Sequence, residues 1–480
     1  MRLILLFVFF PFLIQAQQIQ QLTKNNYWDA GIDMYQGKVV WQSGDISVFD
    51  KQSAEIFLAE GNKIQQITNN GSFNFGPKIG GKYVVWAQWI KNKYGVNDRN
   101  ALMCYDGKKI FCLDSSIGNL YHNTVNKYVL WLDDSPNSDR VLLFDGEKTV
   151  EFTDADGKPA YGGYMTEAGI FYTFWSNSIN YLALYNNEEK HEIIDSSENQ
   201  IDYRGNLENG YAGNLIGYGS KENGKSIFYS LCDSSYTDCS SFFLINGVKH
   251  AVAKISDSLK SAQNYITYYG NDFLVFNYMD INGTRENLKI IVWRNGKFFE
   301  VSGFPFENVA QYPELTDITF PFRYSELPNR LKTGIFHKGK IYKVSEGDYS
   351  HEAIANNYGV AWVSSETSLN MKQTSEVYYF CANDSCITAK PTENFSLKIF
   401  HRDNAKQIAI EVETPQAENF VATVYDLIGR ELVRAKFSGL YGKNIYTIPS
   451  DYFTQGMYIV NLQNTSKPEQ HLTQKLFIPN

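Results

Sequence analysis

The 480-residue sequence predicts an all-β protein in two parts, a long repetitive region and a small strand-rich module at the carboxyl end. Three observations carry this reading. Short apolar or alternating runs recur in pairs around Asp-Gly, Asn-Gly or Glu-Gly, the turn chemistry of hairpins. No helical periodicity joins these runs. Aromatic residues, which favour strands, reach 15% of the chain, with 33 Tyr and 32 Phe. The 43% hydrophobic content supplies a core and excludes wholesale disorder. With 44 Lys+Arg against 52 Asp+Glu the net charge is −8, which argues against nucleic acid as a partner because no basic excess exists to displace phosphate counterions.

At the amino terminus, Met1 and Arg2 give a short positive start, and Leu3 to Ile14 (LILLFVFFPFLI) an unbroken apolar run. Small Ala16 stands where a signal peptidase would cut, so residues 1–16 are predicted to be a secretory signal peptide. A run this short, interrupted by Pro11, is not long enough for a membrane span, and no later stretch is longer, so no transmembrane segment is expected in the mature chain. Export makes the six cysteines readable. They form three close pairs, Cys104/Cys112, Cys232/Cys239 and Cys381/Cys386, none with the CxxC spacing of a zinc site. A two-residue turn at Asn383-Asp384 would oppose Cys381 to Cys386, and an odd loop centred on Lys108 would do the same for Cys104 and Cys112. Three local disulfides are expected in an oxidising compartment.

From residue 17 to 390 a unit recurs. KVVWQS (38–43) leads to EIFLAEGNKIQQIT (55–68), YVVWAQ (83–88) to ALMCYDGKKIFCL (101–113), YVLWLD (128–133) to RVLLFDGEKTVEFT (140–153), and GIFYTFW (169–175) to YLALYNNEEKHEII (181–194). Looser copies begin at LIGYGS (215–220), FLVFNY (273–278), ITFPFRY (318–324) and GVAWVSS (359–365). The hairpin turns lie roughly 46 residues apart, a spacing in the range of propeller blades, whereas solenoid repeats are shorter. Four short strands per unit, arranged radially, leave only short protected edges, so an eight-bladed β-propeller is predicted. Seven blades is the alternative, because the units after residue 200 are irregular. Ile19-Gln20-Gln21-Leu22-Thr23 nearly repeats Ile64-Gln65-Gln66-Ile67-Thr68, so it either closes the ring against the last unit or leads into the first. Trp41, Trp86, Trp131 and Trp362 recur in one phase, which packing between blades requires. Trp28 and Trp89 fall outside that phase and are candidates for an exposed aromatic platform. The pattern resembles the TolB-like or WD40-like propeller repeats of secreted bacterial proteins, a likeness that implies architecture and leaves activity open.

After a polar linker near residue 390 the template stops. Seven short alternating strands between 396 and 478 predict a small β-sandwich over 391–480. VYDLIGRELV (424–433) with Asp426 and Gly429, QGMYIV (455–460) with Gly456 and Tyr458, and a last strand containing Lys475 resemble the type IX secretion system sorting domain. The resemblance implies passage through the periplasm, recognition by the secretion machinery and delivery to the cell surface or the medium.

Chemistry is less visible. Seven scattered histidines form no metal-ligand spacing, those in hairpins (His191, His250, His337) are expected to be solvated, and no GxSxG elbow is present. The Asp154 and Asp280 loops fail the calcium pattern, with Met165 and Ile291 at position twelve. No catalytic residue, metal or cofactor is assigned. The expected function is binding of an extracellular protein or glycan; the alternative is a glycan- or peptide-processing enzyme at the channel mouth.

Overall fold

The computed structural model describes residues 19–478 except 26, 46–52, 62, 91–98, 118–121, 136–137, 161–162, 203–220, 233–238, 253–264, 279–288, 304–309, 311, 328–329, 345–348, 366–374, 383–395, 403–406, 415–417, 440–441, 450–452, 466 and 468–470. The expected signal peptide, Cys386, the Asp280 loop and the linker near 390 lie outside the described residues.

Among the described residues the repetitive region forms eight successive antiparallel sheets, spanning 28–66, 74–117, 122–151, 164–197, 200–252, 265–303, 319–343 and 349–381. Within each, chain neighbours are sheet neighbours; the seventh has three strands. The amino-terminal strand Ile19–Gln21 pairs antiparallel with Ser375–Cys381, placing Ile19 opposite Phe380 and completing the eighth sheet. Of the two roles open to this segment, closure is the one adopted.

The cores show why the sheets form a ring. One cluster joins Val40 and Ile56 to Ile79, Trp86, Leu130 and Tyr172, linking sheets one to four. Further clusters link four to five through Phe171 and Tyr229, five to six through Phe243 and Trp293, and six to eight through Val292, Phe320 and Trp362. The last returns from Ala361 and Tyr379 to Trp41 and Leu22, joining eight to one. Each sheet thus buries both faces against its neighbours, the arrangement of a β-propeller.

Trp41, Trp86, Trp131 and Trp362 are all buried between sheets. Trp175 is 63% exposed, and Tyr172 takes the buried place in the fourth sheet. The strand Gly169–Ser176 starts one residue before Ile170, so its fourth position is Tyr172, as Trp41 is the fourth position of Lys38–Asp45. Trp362→Ala is therefore expected to cost about 3–5 kcal/mol in denaturant unfolding, and Trp175→Ala within about 0.5 kcal/mol of nothing.

The first cysteine pair departs from the expected disulfide. Cys104 and Cys112 are both free thiols. Their hairpin closes with the Asp106 N–H donating to the Lys109 carbonyl at 3.2 Å, and its register opposes Cys104 to Phe111 and Met103 to Cys112. That one-residue offset sends the two thiols to opposite faces. Cys104 is buried, which pushes its thiol up to about 12, whereas Cys112 is exposed. Cys232 stands opposite Cys239 in backbone register. Cys381 is disulfide-bonded.

The carboxyl-terminal module consists of two facing sheets. Strands 396–402, 407–414 and 442–449 form one, and 418–425, 431–439, 456–464 and 471–478 the other. Ile399, Ile408, Ile410 and Ile448 pack against Phe420, Val424, Val460 and Leu462, a sandwich core. Its strand Gly442–Pro449 also continues the first propeller sheet, in a parallel pairing of Lys443 with Gln65. Tyr446 packs there near Tyr27 and Glu55, and burial raises its phenol.

Candidate functional site

The disc has two ends. At one lie the turns that join first to second and third to fourth strands; the ring closure lies at the other.

At the centre of the turn end, residues 221–226 lead into the strand Ile227–Cys232. The Lys221 ammonium donates to Asp33 Oδ2 at 2.5 Å and to the Ile79 carbonyl at 2.7 Å, and the Ile79 N–H donates to the same Asp33 oxygen at 2.8 Å. The Glu222 carboxylate accepts from the Gln36 N–H and from Asn356 Nδ2, the latter at 3.1 Å. The Lys221 carbonyl accepts the Glu167 N–H at 2.8 Å, and the Glu167 carboxylate accepts from the Tyr35 hydroxyl at 2.9 Å and Gln36 Nε2 at 3.0 Å. Sheets one, two, four and eight are thus tied to one connector of sheet five. Burial lifts the Glu222 carboxyl to about 7 and lowers the Lys221 ammonium, with Asp33 opposing that fall. Burial, then Glu167, raises the Tyr35 phenol.

The closure end holds a second cluster, built around the acids Asp29 and Glu376. The Asn25 N–H donates to Glu376 at 2.8 Å, its side-chain amide donates to Asp29 at 3.2 Å, and Ser375 Oγ both accepts the Asp29 N–H and donates to its carbonyl, each at 2.7 Å. Burial first, then Glu376, raises Asp29 well above the carboxylate range; burial lifts Glu376 to about 7.

Neither cluster is an open receptor, but a groove between the second and third sheets is. It has a volume of about 410 Å³ and is lined by Lys82, Lys109, Lys148, Phe111, Phe144 and Cys112, among others. Its walls follow from turn chemistry. Asp106 accepts the N–H groups of Lys108 and Lys109, and Asp145 those of Glu147 and Lys148, all at 2.9 Å. Those bonds hold both carboxyls below the usual range. Gly81, at φ +55°, lets the first turn of the second sheet lie against the third, because a Cβ there would stand 2.4 Å from the Asn126 carbonyl oxygen.

The residues singled out from the sequence do not converge. Trp28 and Trp89 are each half-buried, in sheets one and two. Asp154 accepts the N–H groups of Asp156 and Lys158 as a turn, each at 2.9 Å. His337, expected to be solvated, is buried and hydrogen-bonded to Thr319 Oγ1 at 2.7 Å; burial drives it down to about 4. Among the described residues no His, Cys, Asp or Glu cluster could hold a metal. In the module, Asp426 accepts from the Ile428 and Arg430 N–H groups at 3.1 and 2.9 Å, Gly429 has φ +86°, the Tyr458 hydroxyl donates to the Thr454 carbonyl at 2.7 Å, and Lys475 pairs in register with Ile459. Sequence reasoning missed the 33–221, 36–222 and 29–376 contacts, which have no local signature. The groove lysines were visible only as parts of the hairpin signals DGKK and DGEK.

Comparison with known proteins bears on the export route. Residues 404–479 match the family described as the secretion system C-terminal sorting domain. The module is a sorting domain for the type IX machinery, and the chain is exported to the cell surface or the medium. No curated protein matches the chain. Among solved structures, the β-propeller domain of the Trilobed protease from Pyrococcus furiosus is 9% identical, with a TM-score of 0.41, over 74% of this chain and 96% of that one. Pyrococcus horikoshii acylaminoacyl peptidase is 12% identical at TM-score 0.37, over 81% of this chain, which spans 58% of the peptidase. Likeness at this level assigns no activity. Among the described residues no helix is long and apolar enough to cross a membrane.

Proposed function

We propose that this exported propeller, residues 17–390, is a binding protein displayed at or released from the cell surface, with 391–480 serving its delivery. The observation that carries the reading is where the titratable groups are spent. Glu222 and Lys221, at the mouth where an enzyme of this shape would work, are buried and engaged in bonds that hold sheets together. The open groove between sheets two and three instead presents lysines and aromatic walls without a convergent acid–base pair. An enzyme reading would draw on Glu222, whose carboxyl stands at about 7. The two readings separate in one experiment. Purified mature chain is screened against extracellular glycans and peptides for both thermal shift and product release. Saturable stabilisation without product is expected; product formation abolished by Glu222→Gln would replace binding with catalysis.

A further inference from the structure

We infer that the groove between sheets two and three takes an acidic polysaccharide, a pyranose chain bearing carboxylate or sulfate groups. This rests on the binding reading above and adds the ligand class.

The first argument is cationic charge that is not held in ion pairs. On the same end of the disc Lys38, Lys127 and Lys190 are paired with Glu60, Glu189 and Glu188 at 2.8, 2.8 and 2.9 Å. Lys82, Lys109 and Lys148 are exposed, and among the described residues none has a carboxylate within ion-pair distance. They come from three different turns, yet they line one groove. The acids nearest in sequence, Asp106 and Asp145, are turned onto backbone N–H groups of their own hairpins. The lining sets three ammonium groups against the carboxylates of Asp106 and Glu147, and Asp106 feels the charge of both Lys109 and Lys82, so the cationic excess is modest. It is nonetheless opposite in sign to the net charge of the chain, −8.

The second argument is shape and surface. Phe111 is half-buried on the groove wall with the Lys109 ammonium 5.8 Å from its ring centroid, and the Lys82 ammonium lies 5.2 Å from that of Tyr83. Tyr83 is buried, so Phe111 is the ring a ligand meets, and its exposed part beside the ammonium groups suits the C–H groups of a sugar whose anion meets the lysines. An acidic peptide fits less well. It would add as a strand to the outer edge Ile110–Ile117, but there the Asp114 carbonyl accepts from Cys112 Sγ at 3.2 Å, and the pairing beneath is interrupted at Leu102.

The test measures binding of purified mature chain to polygalacturonate, dextran sulfate, neutral dextran and poly-L-glutamate at low and physiological salt. Tight binding to one or both anionic polysaccharides, weakened by salt, is expected, and their ranking identifies carboxylate or sulfate as the preferred anion. Lys109→Gln/Lys148→Gln should weaken it about tenfold while Lys→Arg at both positions retains it. Glu147→Gln should tighten it, and Phe111→Ala should weaken it; unchanged melting temperatures exclude misfolding as the cause. Equal binding of dextran, indifference to the lysine pair, or poly-L-glutamate bound as tightly as the polysaccharides with no effect of Phe111→Ala would overturn the inference while leaving a binding protein. Failure to bind any ligand in the wider screen would remove both.

Discussion

Lys221→Met is expected to lower the unfolding free energy by about 3–5 kcal/mol in guanidinium unfolding at neutral pH, because it leaves a buried carboxylate without its counter-charge. Asp33 is only 2% exposed and its Oδ2 receives both the Lys221 ammonium and the Ile79 N–H. Removing the ammonium leaves one neutral donor to stabilise a full charge away from water. The double variant Lys221→Met/Asp33→Asn should recover most of the loss, since Asn keeps an acceptor for the Ile79 N–H and carries no charge. If the single variant is as stable as the parent, the connector does not hold sheets one, two and five together in solution.

The second large effect concerns pH. Glu222 is lifted from the ordinary 4.5 to about 7 by burial, with Glu376 at about 7 and Asp29 raised beside it at the ring closure. A carboxyl with a raised folded-state pKa binds its proton more tightly in the native than in the unfolded chain. Its contribution is complete below about pH 4.5 and is lost as pH rises through 7. For Glu222 that amounts to about 3 kcal/mol between pH 5 and pH 8. His337, held down to about 4, acts in the opposite direction below pH 6.5, so the informative quantity is the difference between parent and variant. Glu222→Gln should therefore show a shallower loss of stability from pH 5 to pH 8 than the parent in paired unfolding curves. Parallel curves would mean that Glu222 is not shielded from water as the structure shows it.

Much of the architecture was written in local pattern. The alternation around Asp106-Gly107 and Asp145-Gly146 specifies hairpins, and the in-phase Trp41, Trp86, Trp131 and Trp362 mark the faces that neighbouring sheets cover. The echo of residues 64–68 in 19–23 carried the closing strand, although only pairing with Ser375–Cys381 chose closure over a simple lead-in. Legibility failed where a single residue of register decides the outcome. Cys104 and Cys112 have hairpin spacing, but the four-residue turn from Asp106 to Lys109 offsets them and sends the thiols to opposite faces. In the fourth sheet the phase is kept by Tyr172, which is buried, while Trp175, three residues further along the strand, is exposed.

The elements, their repetition, the sorting module and the turn chemistry are legible along the chain, because each is set by interactions between residues close in sequence. Which polar groups meet is set by folding in three dimensions: Asp33 with Lys221, Glu222 with Gln36 and Asn356, and Asp29 beside Glu376. The sharing of one groove by Lys82, Lys109 and Lys148 is set in the same way. Ring closure brings together the first group, whose partners stand more than a hundred residues apart, and the packing of neighbouring sheets brings together the lysines; electrostatic and burial energies depend on that spatial proximity, to which no spacing along the chain refers.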